Sequence, residues 1–304
     1  MATAKGFAVK AAVGKETTWG TPVNVSQLIP ITSEGLSKEF SRASDNILGS
    51  EAVERAEITQ ENVSGSLELE ATYTGLDEIF EVALGTKSGT GTSADPYIFS
   101  LAEDINSSLT VAIDKQVSVH EFAGVKINQL TIQGSAGDTV KVSLDTLAKI
   151  KNRGTSATNT STSINNAASF GGRILFSDFS CSIGGSPVGI AGFNLQLNNN
   201  LTSVYENEKK PVEISRNGKR EVSLSIDIAR YINDTFNEYF ELDAEVPIIL
   251  SATDGTNNFE INIPRAKVTK VGDPVGGAEI IKQTVEFTLL KSGASNEFEI
   301  KRYA

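Results

Sequence analysis

An alternating strand that runs into a short amphipathic helix occurs twice in this chain, and that duplication constrains the fold more than any single residue. The first copy reads Ser66-Leu67-Glu68-Leu69-Glu70-Ala71, then Leu76-Asp77-Glu78-Ile79-Phe80-Glu81. The second reads Ser223-Leu224-Ser225-Ile226-Asp227-Ile228, then Phe236-Asn237-Glu238-Tyr239-Phe240-Glu241. Leu67, Leu69 and Ala71 share one strand face, as Leu224, Ile226 and Ile228 do, because side chains alternate along a strand. A repeat this long is a folded domain used twice, since solenoid repeats have shorter periods. Other correspondences keep the same order. Leu36-Ser37-Lys38-Glu39-Phe40 matches Leu197-Asn198-Asn199-Asn200-Leu201, and Thr139-Val140-Lys141-Val142-Ser143-Leu144 matches Thr284-Val285-Glu286-Phe287-Thr288-Leu289. Both halves carry a long polar excursion at the same place, 41–57 and 202–219. Compact domains seldom keep loops of that length without a use.

The 304 residues are about twice the ~150-residue prior for one domain, and 39% hydrophobic content suffices for two cores. The expected organisation is an N-terminal arm over 1–26, a first domain over 27–151, a flexible Ser/Thr/Asn-rich linker over 152–170 and a second domain over 171–304. Further strands are expected at 97–101, 109–113, 125–132 and 140–147 in the first half. In the second they are expected at 174–182, 192–198, 222–229, 247–252, 260–271 and 280–290.

Several function classes are excluded. No apolar run reaches the roughly 18 residues of a membrane helix, so no membrane association is expected. The start of the sequence shows no hydrophobic signal region, and the single cysteine, Cys181, allows no internal disulfide, so a reducing cytoplasm is the expected place of synthesis. Net charge is −11, and Lys209, Lys210, Lys219 and Arg220 are interleaved with Glu206, Glu208 and Glu221. Tight DNA binding needs cations that neutralise phosphates, and no dense basic stripe supplies them.

Catalytic chemistry finds little support. The only histidine, His120, stands beside Glu121 with no nucleophile elbow in the chain. The glycine pairs at 184–185 and 276–277 do not lead into helices as phosphate-cradling loops do. Glu68 and Glu70 share the outer face of a strand, where a paired-acid hydrolase site is possible, but no aromatic sugar platform accompanies them. Residues 254–258 resemble a calcium loop in composition only, lacking the spacing and the closing glutamate. No catalytic residue, cofactor or metal is expected. Trp19, in the arm, has two readings, as an anchor on its own domain or as an insert into a neighbouring subunit.

Gly14-Lys15-Glu16-Thr17-Thr18-Trp19-Gly20-Thr21-Pro22, Ile29-Pro30-Ile31-Thr32-Ser33-Glu34-Gly35-Leu36, Gly65-Ser66-Leu67-Glu68-Leu69-Glu70 and Gly75-Leu76-Asp77-Glu78-Ile79 together resemble the tail tube proteins of tailed bacteriophages. The similarity covers most of the chain as short segments in order. It implies a mainly β fold, here two tandem β-sandwich or rolled-sheet domains, each with one short flanking helix. It also implies rings of six-fold or pseudo-six-fold symmetry stacked into a conduit for DNA ejection, with the early excursion bridging one ring to the next. A duplicated chain would close such a ring as a homotrimer. Tape measure, tail terminator and tail tip proteins are the implied partners, with DNA passing without specific binding. The implied location is the virion tail, assembled in the bacterial host cytoplasm. Asp45, Glu51 and Glu54 of one excursion would then meet Lys209, Lys210 or Arg216 of a neighbour. The alternative is a two-domain β-sandwich binding module, an adhesin or capsid decoration protein.

Overall fold

The computed structural model describes residues 3–44, 51–273, 280–292 and 296–304. The first half contains β1 (Lys10–Lys15), β2 (Gln27–Ile29), β3 (Ile31–Glu34), β4 (Ser37–Ser44), β5 (Ala56–Glu70), α1 (Asp77–Leu84), β6 (Gly85–Ser88), β7 (Tyr97–Leu101), β8 (Leu109–Asp114), β9 (Val119–Ser135), β10 (Lys141–Ala148) and β11 (Ile150–Arg153). After α2 (Ser161–Asn166) come β12 (Phe179–Ile183), β13 (Ser186–Val188), β14 (Ile190–Asn198), β15 (Leu201–Val204), β16 (Glu213–Arg216), β17 (Glu221–Ile228), α3 (Thr235–Glu241), β18 (Glu245–Thr253), β19 (Asn258–Gly272), β20 (Gln283–Leu289) and β21 (Glu299–Tyr303).

The molecule is mainly β, and the pairings between named strands are antiparallel. Those of the first half recur in order in the second. β1 pairs with β2 and β8 as β12 pairs with β13 and β18. β9 pairs with β8, β10 and β11 as β19 pairs with β18, β20 and β21. β5 joins β10 to β3 and β4 as β17 joins β20 to β14. Equating Leu67 with Leu224 makes Ser37 the counterpart of Asn198, because each pairs three residues from that leucine, at Ser64 and Glu221. One sequence alignment shifts. Leu69 pairs with Val142 and Ile226 pairs with Val285, so Val142 corresponds to Val285 and the match through Thr139 and Thr284 slides by two residues. A slip of two keeps every side chain on its face, which is why the pattern alone did not reveal it.

The halves are not separate bodies. β9 also pairs with β14, Leu130 opposite Leu197 and Ile132 opposite Leu195, and β7 pairs with β21. The guanidinium of Arg302 on β21 donates to Asp77 at the start of α1 through Nε at 2.7 Å. Buried apolar side chains of both halves form one contiguous cluster where two cores were expected.

Two expectations about the connecting segments are corrected. Residues 10–15 are not arm but the strand β1, set between β2 and β8 and buried along Ala11, Ala12, Val13 and Gly14. The 152–170 tract is not a loose linker. It forms α2, capped by Thr160 and Ser163, and buries Ile164 against Ala12, Val25, Ala112 and Val119. A buried carboxylate makes this possible. Glu121 on β9 accepts hydrogen bonds from Asn152 Nδ2, the Thr158 amide, and both the amide and Nδ2 of Asn159, at 2.8–3.1 Å. Asn159 in turn accepts from the Val25 amide at 3.0 Å and donates to the Val23 carbonyl at 2.8 Å. The polar tract is held because its donors are satisfied away from water.

Glu121→Gln places an amide donor where only donors point. Loss of about 1–3 kcal/mol is expected, read as a lower urea midpoint with faster amide exchange over residues 154–160. Cys181 gives a second expectation. Burial on β12 pushes its thiol up to about 12, so it stays unreactive to thiol reagents at neutral pH until the protein unfolds. Rapid native-state labelling would contradict the packing of β12.

Candidate functional site

The continuous run β3/β4–β5–β10–β9–β14–β17–β20–β19 has two faces of opposite chemistry. One row of cross-strand neighbours on the core side is Leu69, Val142, Ile132, Leu195, Leu224 and Phe287. The rows between the core rows are polar throughout. Glu68, Ser143, Thr131, Gln196, Ser223 and Thr288 form one, and Glu70, Lys141, Gln133, Asn194, Ser225 and Glu286 form the next. A third runs Ser66, Asp145, Gln129, Asn198 and Glu221. Six strands from both halves thus share one polar surface, because the alternation of each is in phase with its neighbours.

Those three rows hold the carboxylates of Glu68, Glu70, Asp145, Glu221 and Glu286 against one ammonium, Lys141. The rest is hydroxyl and amide. The surface offers hydrogen bonding to water, with a negative balance that disfavours phosphate. Glu70 is engaged by Arg173 Nε at 3.1 Å, and Lys141 by Asp138 at 2.6 Å, which raises the lysine and lowers the aspartate.

Two sheet edges stand out by comparison between halves. β14 is paired on both sides, to β17 and β9, whereas its counterparts β3 and β4 pair only with β5 among the described residues. Likewise β9 is paired on both sides over residues 129–133, to β10 and β14. The corresponding end of β19, from Val268 to Gly272, pairs only with β20 among the described residues. Open strand edges present unpaired amides and carbonyls, an aggregation hazard unless another chain covers them. The β4–β5 ladder also extends far beyond the core, with Ser44 opposite Ala56 and nearly all of β4 exposed.

The contact residues expected from sequence fall in different places. The Trp19 indole donates to the Gly124 carbonyl at 3.1 Å, and Lys149 Nζ lies 4.3 Å from the ring centroid, so the ring is docked on its own chain. The loop that carries it is fixed by buried Glu16, which accepts from the amides of Gly20 and Gly124 and the hydroxyls of Ser108 and Thr110. Arg216 is also committed internally. Its guanidinium donates to the carbonyls of Asn199 and Glu103 and to Asn199 Oδ1. Burial and the nearby Arg220 hold its pKa below the usual value. Lys209 and Lys210 are exposed, and the Lys209 carbonyl accepts from the Glu61 amide at 2.7 Å. Tyr205 donates to the Glu61 carbonyl at 3.0 Å, so the second excursion folds back onto β5. Glu51 and Glu54 are exposed near the far end of the β4–β5 hairpin, and Asp45 lies outside the described residues. Glu16 and Glu121 carried no sequence signal, since all their partners but Gly20 come from segments far along the chain.

His120 is half-buried on β9. Burial first, then Lys115, Lys151 and Arg153, lowers its pKa, and its Nδ1 has no partner among the described residues. Among the described residues no cluster of three or more His, Cys, Asp or Glu could hold a metal, and no helix is long and apolar enough to cross a membrane.

No curated protein matches the chain. The phage tail tube protein family matches over residues 6–289. With nearly the whole length matched and a polar β surface flanked by open edges, the chain belongs to the phage tail tube protein family, structural and non-enzymatic components of the virion tail.

Proposed function

We propose that the chain is a duplicated tube subunit, three copies of which close a ring of six similar units, and that the polar sheet face lines the channel. The first unit would begin at β1 and end at β11, and the second would run from β12 to β21. The recurrence of the strand pairings, together with the β9–β14 ladder, carries this reading. β9–β14 is a unit-to-unit junction inside one chain. The matching elements at the outer ends, β19 and β3/β4, are left open among the described residues. Joining β19 of one copy to β3/β4 of the next repeats the internal junction, and three such joints close a cyclic, heterologous ring. Backbone ladders would then run across every joint and remove the free edges.

A channel wall rich in Ser, Thr, Asn and Gln with excess carboxylate lets duplex DNA slide, since no lattice of cations holds its phosphates. The β4–β5 hairpin, by its length and exposure, suits contact between stacked rings, as the family resemblance implies. Tape measure, terminator and tip proteins would meet the ends of such a tube.

Native mass spectrometry of isolated rings is expected to give three chains. Six would retain the tube and remove the duplicated-ring reading, while protein that forms no rings with tail partners present would remove the tube subunit itself. Exposed Lys209 and Lys210 remain the basic partners for the acidic hairpin of a neighbour. Charge reversal at both is expected to shorten tubes while circular dichroism stays native. Each exposed pair contributes no more than about 1 kcal/mol, so the effect comes from repetition around the ring. Tubes of ordinary length in this variant would dismiss the pairing.

A further inference from the structure

In the first half, an extended segment closes the gap between the end of β5 and the start of β10. Residues 171–174 do this from the stretch that leads into β12. The Tyr73 amide donates to the Gly172 carbonyl at 3.0 Å, the Ile174 amide to Ala71 at 2.9 Å, and the Val140 amide to the Ile174 carbonyl at 3.0 Å. Ile174 is fully buried there, and Phe170 lies against Gly75. The unit-to-unit junction within the chain therefore includes a plug, a segment ahead of one unit's first strand that seats in the preceding unit.

The second half has the matching groove, and no described residue fills it. A cleft of ≈ 260 Å³ opens between β13, the loop after β17 and α3, lined by Ile183, Val188, Ile228, Phe236, Tyr239 and Gln283. Gln283 is 2% exposed, yet its Nε2 has no hydrogen-bond partner among the described residues. It stands where the first half has Val140, whose amide bonds the plug. On the rim, Ile232 is 79% exposed. Residues 229–235 here take the place of 72–75 in the first half, where the plug covers Gly75.

The segment ahead of β1 has the opposite character. Like the stretch ahead of β12, it enters its strand through a single 3-10 turn, Gly6–Ala8 against Phe176–Asp178. None of those three residues is buried, and Phe7 is 87% exposed. Val117, on the neighbouring hairpin whose Gln116 accepts from the Lys5 amide, is 80% exposed. A large aromatic ring so placed costs hydration free energy that docking would recover.

We infer that residues 3–8 of one copy seat on the second-half cleft of the neighbouring copy, with the Phe7 ring inserted beside Phe236 and Tyr239 and with Gln283 donating to a backbone carbonyl of the incoming segment. This rests on the ring assembly proposed above, in which the second unit of one copy adjoins the first unit of the next. The incoming segment lies over the cleft and inserts a side chain. It does not thread between strands as residues 171–174 do, because the Tyr231 amide already donates to the Ile281 carbonyl at 2.9 Å at the far end.

The test compares wild-type protein with Phe7→Ala, an exposed position whose change leaves the fold intact, and with a Phe7→Cys, Ser186→Cys double variant. Phe7→Ala is expected to raise the critical concentration for ring formation by about tenfold, the scale of one buried aromatic side chain. A short bismaleimide is expected to link chains of the double variant into dimers and trimers on denaturing gels, from assembled protein only and from neither single variant. Buried Cys181 contributes no background. Unchanged assembly of Phe7→Ala, or rings of the double variant that carry no cross-link, would overturn the seating and leave the ring standing. Wild-type protein that never forms rings would overturn the tube reading and this inference with it.

Discussion

Everything in this fold depends on satisfying the backbone of one strand. β9 spans 17 residues, and its amides and carbonyls are taken up by β8 and β11 along its first part and by β10 and β14 along its second. A buried backbone group left unpaired costs about as much as a lost hydrogen bond, so a strand this long and this enclosed is possible only with four partners. The fourth, β14, belongs to the other half of the chain. The two halves therefore share a sheet because neither can complete β9 without the other, and a single apolar cluster beneath them follows from that.

The same constraint explains why polar segments are so firmly fixed. β9 is covered on both faces over residues 121–127, so Glu121 cannot reach water, and nearby Glu16 is buried against the same strand. A buried carboxylate is tolerated where several donors converge on it. For Glu16 they come from Gly20 in the loop after β1, from Ser108 and Thr110 at the start of β8 and from Gly124 on β9, and for Glu121 from Asn152 on β11 and from the polar tract before α2. What composition would assign to solvent becomes the packing that covers the outer face of β8 and β9. Both carboxylates thus convert loop into wall, which a subunit needs if neighbours are to meet a surface of fixed shape.

How much of this was legible varies with the physics. The strands of the duplicated unit were readable because one face is core and the other solvent, giving β5, β10, β14, β17 and β20 a period of two. β1 was not readable. Ala11, Ala12, Val13 and Gly14 are buried on both faces, so there is no alternation, and of the four only Val13 has a strand preference of its own. The order of the 152–170 tract was hidden because it rests on Glu121, more than thirty residues upstream. Trp19 and Arg216 carried the right chemistry for contacts, but side-chain type cannot tell an internal partner from an external one. The polar face was visible strand by strand, while its continuity across both halves depends on the β9–β14 register, a long-range fact.

The two units differ most where they end, and the differences are of one kind. In the first, α1 buries Ile79, Phe80, Val82, Ala83 and Leu84, and its last turn is held by Asn199 Nδ2, which donates to the Ala83 carbonyl at 2.9 Å. That asparagine comes from the second unit. In the second, α3 buries only Phe236 among the residues of its helix, with Phe240 and the following Leu242 left exposed. Val140 under the internal plug becomes Gln283 beside the open cleft, and the short loop that holds covered Gly75 is replaced by a longer one that holds exposed Ile232. A unit with a covalently attached neighbour can rely on that neighbour to complete its core, because the effective concentration is high and permanent. A unit whose neighbour is a separate molecule must remain soluble until it arrives, which favours a polar group and an adaptable apolar rim over a preformed hydrophobic seat. Divergence between the halves is thus what the proposed ring would require, its joints alternating between covalent and non-covalent.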